Sequence, residues 1–173
     1  MAKKHIIINN SNNTSFYLET ITSSDIELLR TWKNKHRSSF FYQKIISPEQ
    51  QQEWYKDYCT RDDDYIFVLK SSSTDTSIGC LGFRLQTKEI DLYNIIRGNT
   101  DDKSLSMHDA MYVMLNFITQ NYTTLIKCDV LKDNPAVKWY LKCGFAIQAE
   151  KEYYVMCINE DKIPKIDLLI EEE

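Results

Sequence analysis

Glycine and proline are scarce in this 173-residue chain, with 4 and 3 copies. That scarcity excludes collagen-like and low-complexity classes and makes each copy a placed signal. No apolar run approaches the ~20 residues needed to span a bilayer. The apolar stretch behind the basic start covers only residues 6–8, too short for a signal peptide. The five cysteines (Cys59, Cys80, Cys128, Cys143 and Cys157) form no C-x-x-C pair and no zinc-like spacing with histidine. No metal is expected, and the thiols read as free side chains of a reducing compartment. Neither charge sign dominates: 21 Lys and Arg stand against 25 Asp and Glu, a net charge of -4, with the signs interspersed. This argues against a nucleic-acid binder and leaves room for a local basic pocket for one phosphorylated small molecule. Together these absences predict a cytoplasmic protein with neither nucleic acid nor membrane as partner.

What is present suffices for a core. Hydrophobic residues make up 43% of the chain, and at about 150 residues per domain the length predicts one domain over residues 1–173, with its core at about 16–159. Residues 6–8 and 16–21 read as strands joined by an Asn- and Ser-rich stretch at 9–15. Ser24-Asp25-Ile26-Glu27 reads as a capping box opening a helix that carries Ile26, Leu29 and Trp32 at helical spacing. Ser47-Pro48-Glu49-Gln50 is the same device with proline in the first turn, followed by an apolar stripe of Trp54, Tyr55 and Tyr58. Residues 65–69, 78–85 and 89–96 fit three consecutive strands. Met107, Ala110, Met111, Met114, Leu115 and Ile118 mark a long helix capped by Ser106. A strand at 124–130 leads to a short helix opened by Asn134-Pro135 and closed by Gly144, and strands at 146–149 and 153–159 follow. The order ββ, αα, βββ, α, β, α, ββ predicts an α/β (α+β) fold, a mixed sheet covered by helices.

Three features could carry chemistry. The first is the strand-loop-helix unit from Ile95, Ile96, Arg97 and Gly98 to Leu105 and the helix after Ser106. A helix N-terminus offers free amides and partial positive charge to an anion. Asp101 and Asp102 oppose a phosphate there, Lys103 and Arg97 partly offset them, and an ordinary connection is the alternative. The second is the segment 133–145, where Asn134 stands at a helix start beside a strand end, a place where ligands dock in α/β sheets, and Ala136, Tyr140 and Cys143 share a face. Core packing is the alternative for Tyr140. The third is Glu89 with Asp91, which face one side of a strand and are costly to bury unless used or paired. Simple solvation at the strand start is the alternative.

The spacing Asn134-Pro135-Ala136, Tyr140, Gly144-Phe145 resembles the closing motif of the GNAT superfamily of acetyl-CoA-dependent N-acetyltransferases, whose order of elements matches residues 16–159. Leu28-Leu29-Arg30-Thr31-Trp32-Lys33-Asn34, Ile46-Ser47-Pro48-Glu49-Gln50 with Trp54-Tyr55, and Leu92-Tyr93-Asn94-Ile95-Ile96-Arg97-Gly98 resemble members that acetylate nucleotide-linked amino sugars, and also those acting on protein N-terminal amines. The resemblance implies a mostly antiparallel sheet of about seven strands flanked by four helices and splayed between the fourth and fifth core strands. It implies acetyl-CoA as co-substrate and no metal. Tyr140 would protonate the departing sulfur, and Glu89 first, Asp91 second, would accept the amine's proton. Ile95, Ile96, Arg97, Ser104, Leu105, Ser106, Met107, His108, Asn134 and Lys142 would hold the coenzyme, with Lys132 and Lys138 beside Lys142 as partners for its 3'-phosphate. One departure is evident: where the family carries small residues before the long helix, this chain has Leu105 and Met107, which must point away for the coenzyme to fit. A pocket from the two early helices and their connection, with Trp32, Arg37, Phe40, Tyr42 and Trp54, and with Tyr93 and Asn94 from the strand, would take the acceptor. Aromatics plus one Arg suit a sugar or base and a diphosphate; they also suit a core or a homodimer face. The expected reaction is acetylation of a small primary amine, with a nucleotide-activated amino sugar favoured. The alternatives are a protein N-terminal acetyltransferase and a non-catalytic acyl-CoA-binding module, the latter motivated by the missing glycines.

Overall fold

The computed structural model describes residues 5–10, 15–101, 103–122 and 124–172. Asp102, residues 1–4 of the basic start and residues 11–14 of the expected Asn/Ser-rich connection lie outside the described residues. All eight expected strands form: β1 (His5–Asn9), β2 (Phe16–Thr20), β3 (Asp64–Ser71), β4 (Ser77–Leu85), β5 (Glu89–Arg97), β6 (Leu125–Leu131), β7 (Ala146–Glu150) and β8 (Tyr153–Ile158). A ninth, β9 (Leu168–Glu172), adds to them. The single sheet runs β7-β8-β6-β5-β4-β3-β2-β1-β9, so it has nine strands rather than about seven. The extra edge comes from β9 pairing antiparallel with β1, Ile7 opposite Ile170.

Among the described residues four α-helices cover the sheet: α1 (Ile26–Lys35), α2 (Pro48–Tyr58), α3 (Met107–Asn121) and α4 (Ala136–Lys142). The capping box at α2 is complete, with the Ser47 hydroxyl accepting from the Gln50 amide and the Gln50 side chain accepting from the Ser47 amide. Ser106 caps α3 by accepting from the Asp109 amide at 3.3 Å. The box expected at Ser24 does not form. Asp25 folds its carboxylate back onto the amide (2.8 Å) and hydroxyl (2.9 Å) of Thr22, Ser24 bonds the Thr22 hydroxyl instead, and α1 starts without a side-chain cap. Gly144 closes α4 at a φ of 95°, a conformation that glycine adopts without steric cost.

The two faces of the sheet have separate cores. Leu18, Phe67, Phe83, Ile90 and Leu92 meet α3 on one face. Ile66, Val68, Cys80 and Ile96 meet Leu29 and Trp32 of α1 and Tyr58 of α2 on the other. The five cysteines are all free thiols, four of them buried. Among the described residues no helix is long and apolar enough to cross a membrane.

Trp32, expected in the acceptor pocket, is instead a core residue, 5% exposed. Its indole lies flat against Gly98, where an added Cβ would come within 1.9 Å of a ring carbon. A bicyclic ring locked between helix and sheet has no room to retreat. Gly98→Ala should therefore destabilise the fold by about 1 to 3 kcal/mol through overpacking, read as a lower urea midpoint at unchanged slope.

Candidate active site

Strands β5 and β6 are the one parallel pair among the recorded ladders. They pair only at Glu89 with Leu125, Ile90 with Ile126 and Asp91 with Lys127. Beyond that point they part, β5 continuing against β4 and β6 against β8. The expected splay between the fourth and fifth core strands is this gap. Along the gap β5 also bulges: Cys80 faces Ile96 and Gly82 faces Tyr93, so β5 carries one more residue than β4 between these pairs. Asn94 takes up the excess at a φ of 49°, a left-handed conformation that Asn tolerates better than most residues. The Cys80 thiol donates to the Asn94 carbonyl at 3.1 Å.

Three connected hollows follow the gap through the sheet. A central cleft of about 500 Å³ is bounded by Asp91 to Arg97 of β5, Asp129 and Val130 of β6, Asn134 and Tyr140. On the α3/α4 face it meets a hollow of about 520 Å³ lined by Ile95, Arg97, Lys103, Ser106, His108 and Tyr140. On the α1/α2 face it meets an inner pocket of about 270 Å³ lined by Lys33, Tyr42, Gln50, Trp54 and Asn94, among others.

Tyr140 stands at the junction of the first two hollows, 7% exposed. Its ring is held edge-on between Trp139 and Phe145, and its hydroxyl makes no hydrogen bond with a described residue. Burial, and then the nearby thiols of Cys128 and Cys143, push its phenol well above the ordinary value. Asn134 is fixed at the mouth of the cleft, accepting from the Ala136 amide at 2.8 Å and donating to the Ser39 carbonyl at 3.2 Å.

The two acids separate. Both face Lys127, which approaches Glu89 at 3.2 Å, Asp129 at 3.2 Å and Asp91 at 4.0 Å. Glu89 lies where the strands are zipped together and does not line the cleft. Asp91 is the last paired residue and opens into it. Burial raises the Asp91 carboxyl above its ordinary value of 3.8, Lys127 pulling the other way and Asp129 reinforcing the rise. Position along the splay, which spacing by two does not reveal, distinguishes them.

On the α3/α4 face, Leu105 and Met107 are 3% and 7% exposed and pack into the core, yet both also line the hollow, so their bulk narrows it where the family carries small residues. The Arg97 guanidinium donates to the Leu105 carbonyl at 2.8 Å, tying the loop to the start of α3. His108 presents its ring to Tyr112, and its Nε2 is buried without a hydrogen-bond partner. Ser104 is exposed and outside the hollow. Lys142 is exposed on α4 and lines none of the three hollows. Lys138 is exposed and Lys132 pairs with Glu150 at 2.7 Å. Lys103 is the lysine that reaches this hollow.

On the α1/α2 face, Tyr42, Trp54 and Asn94 line the inner pocket as expected, while Tyr93 lines the cleft with its hydroxyl committed to the Asp64 carboxylate. Arg37 does not take part: it sits exposed on a single 3-10 turn, donating to the Asn34 carbonyl at 3.2 Å. The cation present is Lys33, which sequence reading missed. Its signal was its place four residues after Leu29, in the stripe that α1 turns toward the sheet.

A family model described as an acetyltransferase (GNAT) domain matches residues 15–146. The chain belongs to the GNAT family. It is an acetyl-CoA-dependent N-acetyltransferase. Among solved structures with this fold is one titled as the apo form of FdhC, a nucleotide-linked sugar GNAT, at 19% identity and a TM-score of 0.71, over 86% of this chain and 89% of that one. Another is spermidine N-acetyltransferase from Vibrio cholerae in complex with CoA and spermine, at 17% identity and a TM-score of 0.71, over 86% and 98%. A domain from Methanocaldococcus jannaschii also matches, at 17% identity and a TM-score of 0.71, over 83% and 97%. No curated relative matches the chain significantly.

The gap fits the coenzyme. The β5 and β6 edges beyond Asp91 and Lys127 lack each other as ladder partners, and backbone groups so placed seek hydrogen bonds of the kind an extended amide-bearing arm supplies. Among the described residues no group of His, Cys, Asp and Glu is arranged to hold a metal.

Asp91 also has a stability signature. Its folded carboxyl titrates above 3.8, so its contribution is most favourable below that pH and declines as pH rises through the folded value. Asp91→Asn should raise the melting temperature at pH 7, and the gain should vanish below about pH 4, as checked by thermal melts across that range.

Proposed function

We propose that this acetyltransferase acts on the primary amine of a small molecule, and that the acceptor is a nucleotide-activated amino sugar. The observation that carries this reading is the passage through the sheet: a hollow of about 520 Å³ on one face, a cleft in the gap, and an inner aromatic-walled pocket on the other. Tyr42 and Trp54 offer flat apolar surfaces beside the amides of Gln50 and Asn94, a combination suited to sugar rings or bases. The likeness to a nucleotide-linked sugar GNAT supports the same class. A peptide N-terminus would call for an open groove, whereas Tyr42 and Ile46, from the connection between α1 and α2, wall the inner pocket.

When bound, acetyl-CoA supplies an activated acyl carbon and a thiolate leaving group. A primary amine is mostly protonated near neutrality, so a base must accept its proton. Asp91, at the mouth of the gap and with a raised carboxyl, takes that role directly or through water, in preference to Glu89, which Lys127 holds at the zipped end. The bulge leaves Asn94 and Ile95, both in the cleft lining, without ladder partners on β4, and a backbone amide there would be the donor that stabilises charge developing on an acyl oxygen. Tyr140 keeps its proton because burial disfavours the phenolate, and it would stabilise a departing thiolate by donating that O–H as a hydrogen bond to the sulfur as charge appears there. Asn134 braces the cleft mouth on this side.

Tyr140→Phe should lower kcat by about 100-fold or more while acetyl-CoA affinity, read by calorimetry, changes by less than about 3-fold. The panel that tests the function is thiol release from acetyl-CoA with nucleotide-linked amino sugars, free amino sugars, polyamines and peptide N-termini. Fastest turnover with a peptide would overturn the small-molecule reading, and unchanged turnover in the variant would remove Tyr140 from the chemistry.

A further inference from the structure

We propose that Lys33 is a specificity-determining residue that pairs with an anionic group, a phosphate or a carboxylate, on the acceptor, so that the enzyme selects anionic amines and turns away polyamines. The inference rests on the acetyltransferase reading of the site. Lys33 projects from α1 to the boundary between the reaction cleft and the inner pocket and lines both. Its ammonium donates to Asn94 Oδ1 at 2.7 Å and sits 5.3 Å from the centroid of the Phe40 ring. Among the described residues no carboxylate comes within ion-pairing distance of it. The acids of the cleft, Asp91 and Asp129, are gathered round Lys127 instead.

The hydrogen-bonding inventory of the pocket points the same way. With Oδ1 of Asn94 occupied by Lys33, the free part of that side chain is its NH2 group, a donor. Gln50 Oε1 is likewise occupied, accepting from the Ser47 amide at 2.9 Å within the capping box, which leaves its NH2 group free. Two remaining N–H bonds of Lys33 add to these unspent donors around a single positive charge, while Gln51, also in the lining, offers both an acceptor and donors. The matching ligand group is one made of acceptors and bearing negative charge, and charge-assisted bonds to it are about twice as strong as neutral ones. Burial already draws the Lys33 ammonium below its ordinary value, a cost that an adjacent oxyanion offsets. A polyamine would place a second ammonium against an uncompensated first one in a partly desolvated pocket, where like charges repel more strongly than in water.

The test uses the full chain saturated with acetyl-CoA and two matched acceptor pairs: glucosamine 6-phosphate against glucosamine, and β-alanine against propylamine, with spermidine alongside. The enzyme should prefer the anionic member of at least one pair by about 10-fold or more in kcat/KM, the pair identifying phosphate or carboxylate. Lys33→Gln should reduce that preference to about 3-fold or less. Asn94→Asp, which keeps the shape but exchanges the free NH2 for an oxygen, should do the same. Acetyl-CoA affinity measured in parallel reports that each variant is folded. A preference that survives Lys33→Gln, equal rates within both pairs, or faster turnover of spermidine would overturn the proposal and leave the acetyltransferase reading standing. Failure to turn over any of these amines or a nucleotide-linked amino sugar would count against that reading instead. Calorimetry on the coenzyme A-saturated protein, with inorganic pyrophosphate where the phosphate pair shows the preference and with succinate where the carboxylate pair does, then decides for Lys33 without turnover: binding weakened about 10-fold or more by Lys33→Gln supports the pairing, and no binding, or binding unaffected by the substitution, overturns it.

Discussion

The parallel contact between β5 and β6 lasts for three residue pairs and then opens, and the location of every functional group follows from that divergence. Each strand is secured on its outer side, β5 by β4 and β6 by β8, so the gap has firm banks. A sheet interrupted in its interior leaves main-chain donors and acceptors without ladder partners, which is costly unless water or a ligand takes them up. The sheet thus stores an unmet hydrogen-bonding demand where a binding arm would lie. Stability gained by extending the ladder would remove the site.

The bulge at Asn94 adds a second consequence. Before it, Ile90 and Leu92 face α3, while Tyr93 faces the same side as α1; after it, Ile96 faces α1 too, although two residues separate it from Tyr93 and the offset is odd. Were the same residues paired regularly, with no bulge, that odd offset would turn Ile96 to the opposite face. The strand is held on the approach to the bulge by a buried cluster: Asp64, with a fully buried side chain, takes ion pairs from Arg61 and Arg84 and the hydroxyl of Tyr93, and the Arg84 guanidinium lies 4.2 Å from the Tyr93 ring centroid. On the bulge itself Cys80 and Lys33 bond the main chain and side chain of Asn94. The left-handed residue is thereby fixed from both sides of its own peptide.

Features set by neighbours in sequence were legible. The capping box at Ser47, the cap at Ser106, the α3 stripe and the closing glycine of α4 each depend on a few consecutive residues. Features set by distant contacts were less so. β9 is a five-residue, acid-ended strand whose partner β1 lies at the other end of the chain, so no local pattern announces the pairing. At Ser24 the competing Asp25 carboxylate won the local hydrogen bonds. Trp32 and Arg37 have the residue types of an acceptor pocket, but one turns inward onto Gly98 and the other outward from a 3-10 turn. Spacing placed Glu89 and Asp91 on one face correctly and could not tell which lay past the point where the strands part. Lys33 was hidden by the habit of counting apolar residues in a stripe and passing over the charged one among them.

The electrostatics of the site depend on a division of labour between two lysines. Lys127 is shared by three carboxylates and comes closest to Glu89 and Asp129. Had it closed on Asp91 alone, a direct ion pair would hold that carboxyl low and make it a poor proton acceptor near neutrality. Sharing leaves Asp91 partly compensated, and burial then prevails in raising it. Lys33 has no such company, so its charge is available to whatever enters the inner pocket. The cleft therefore runs from an acid-rich end at the zipped strands to a cationic end beneath α1, a polarity that, on the proposed assignment, would orient an acceptor whose amine and anion lie at opposite ends before any covalent step begins.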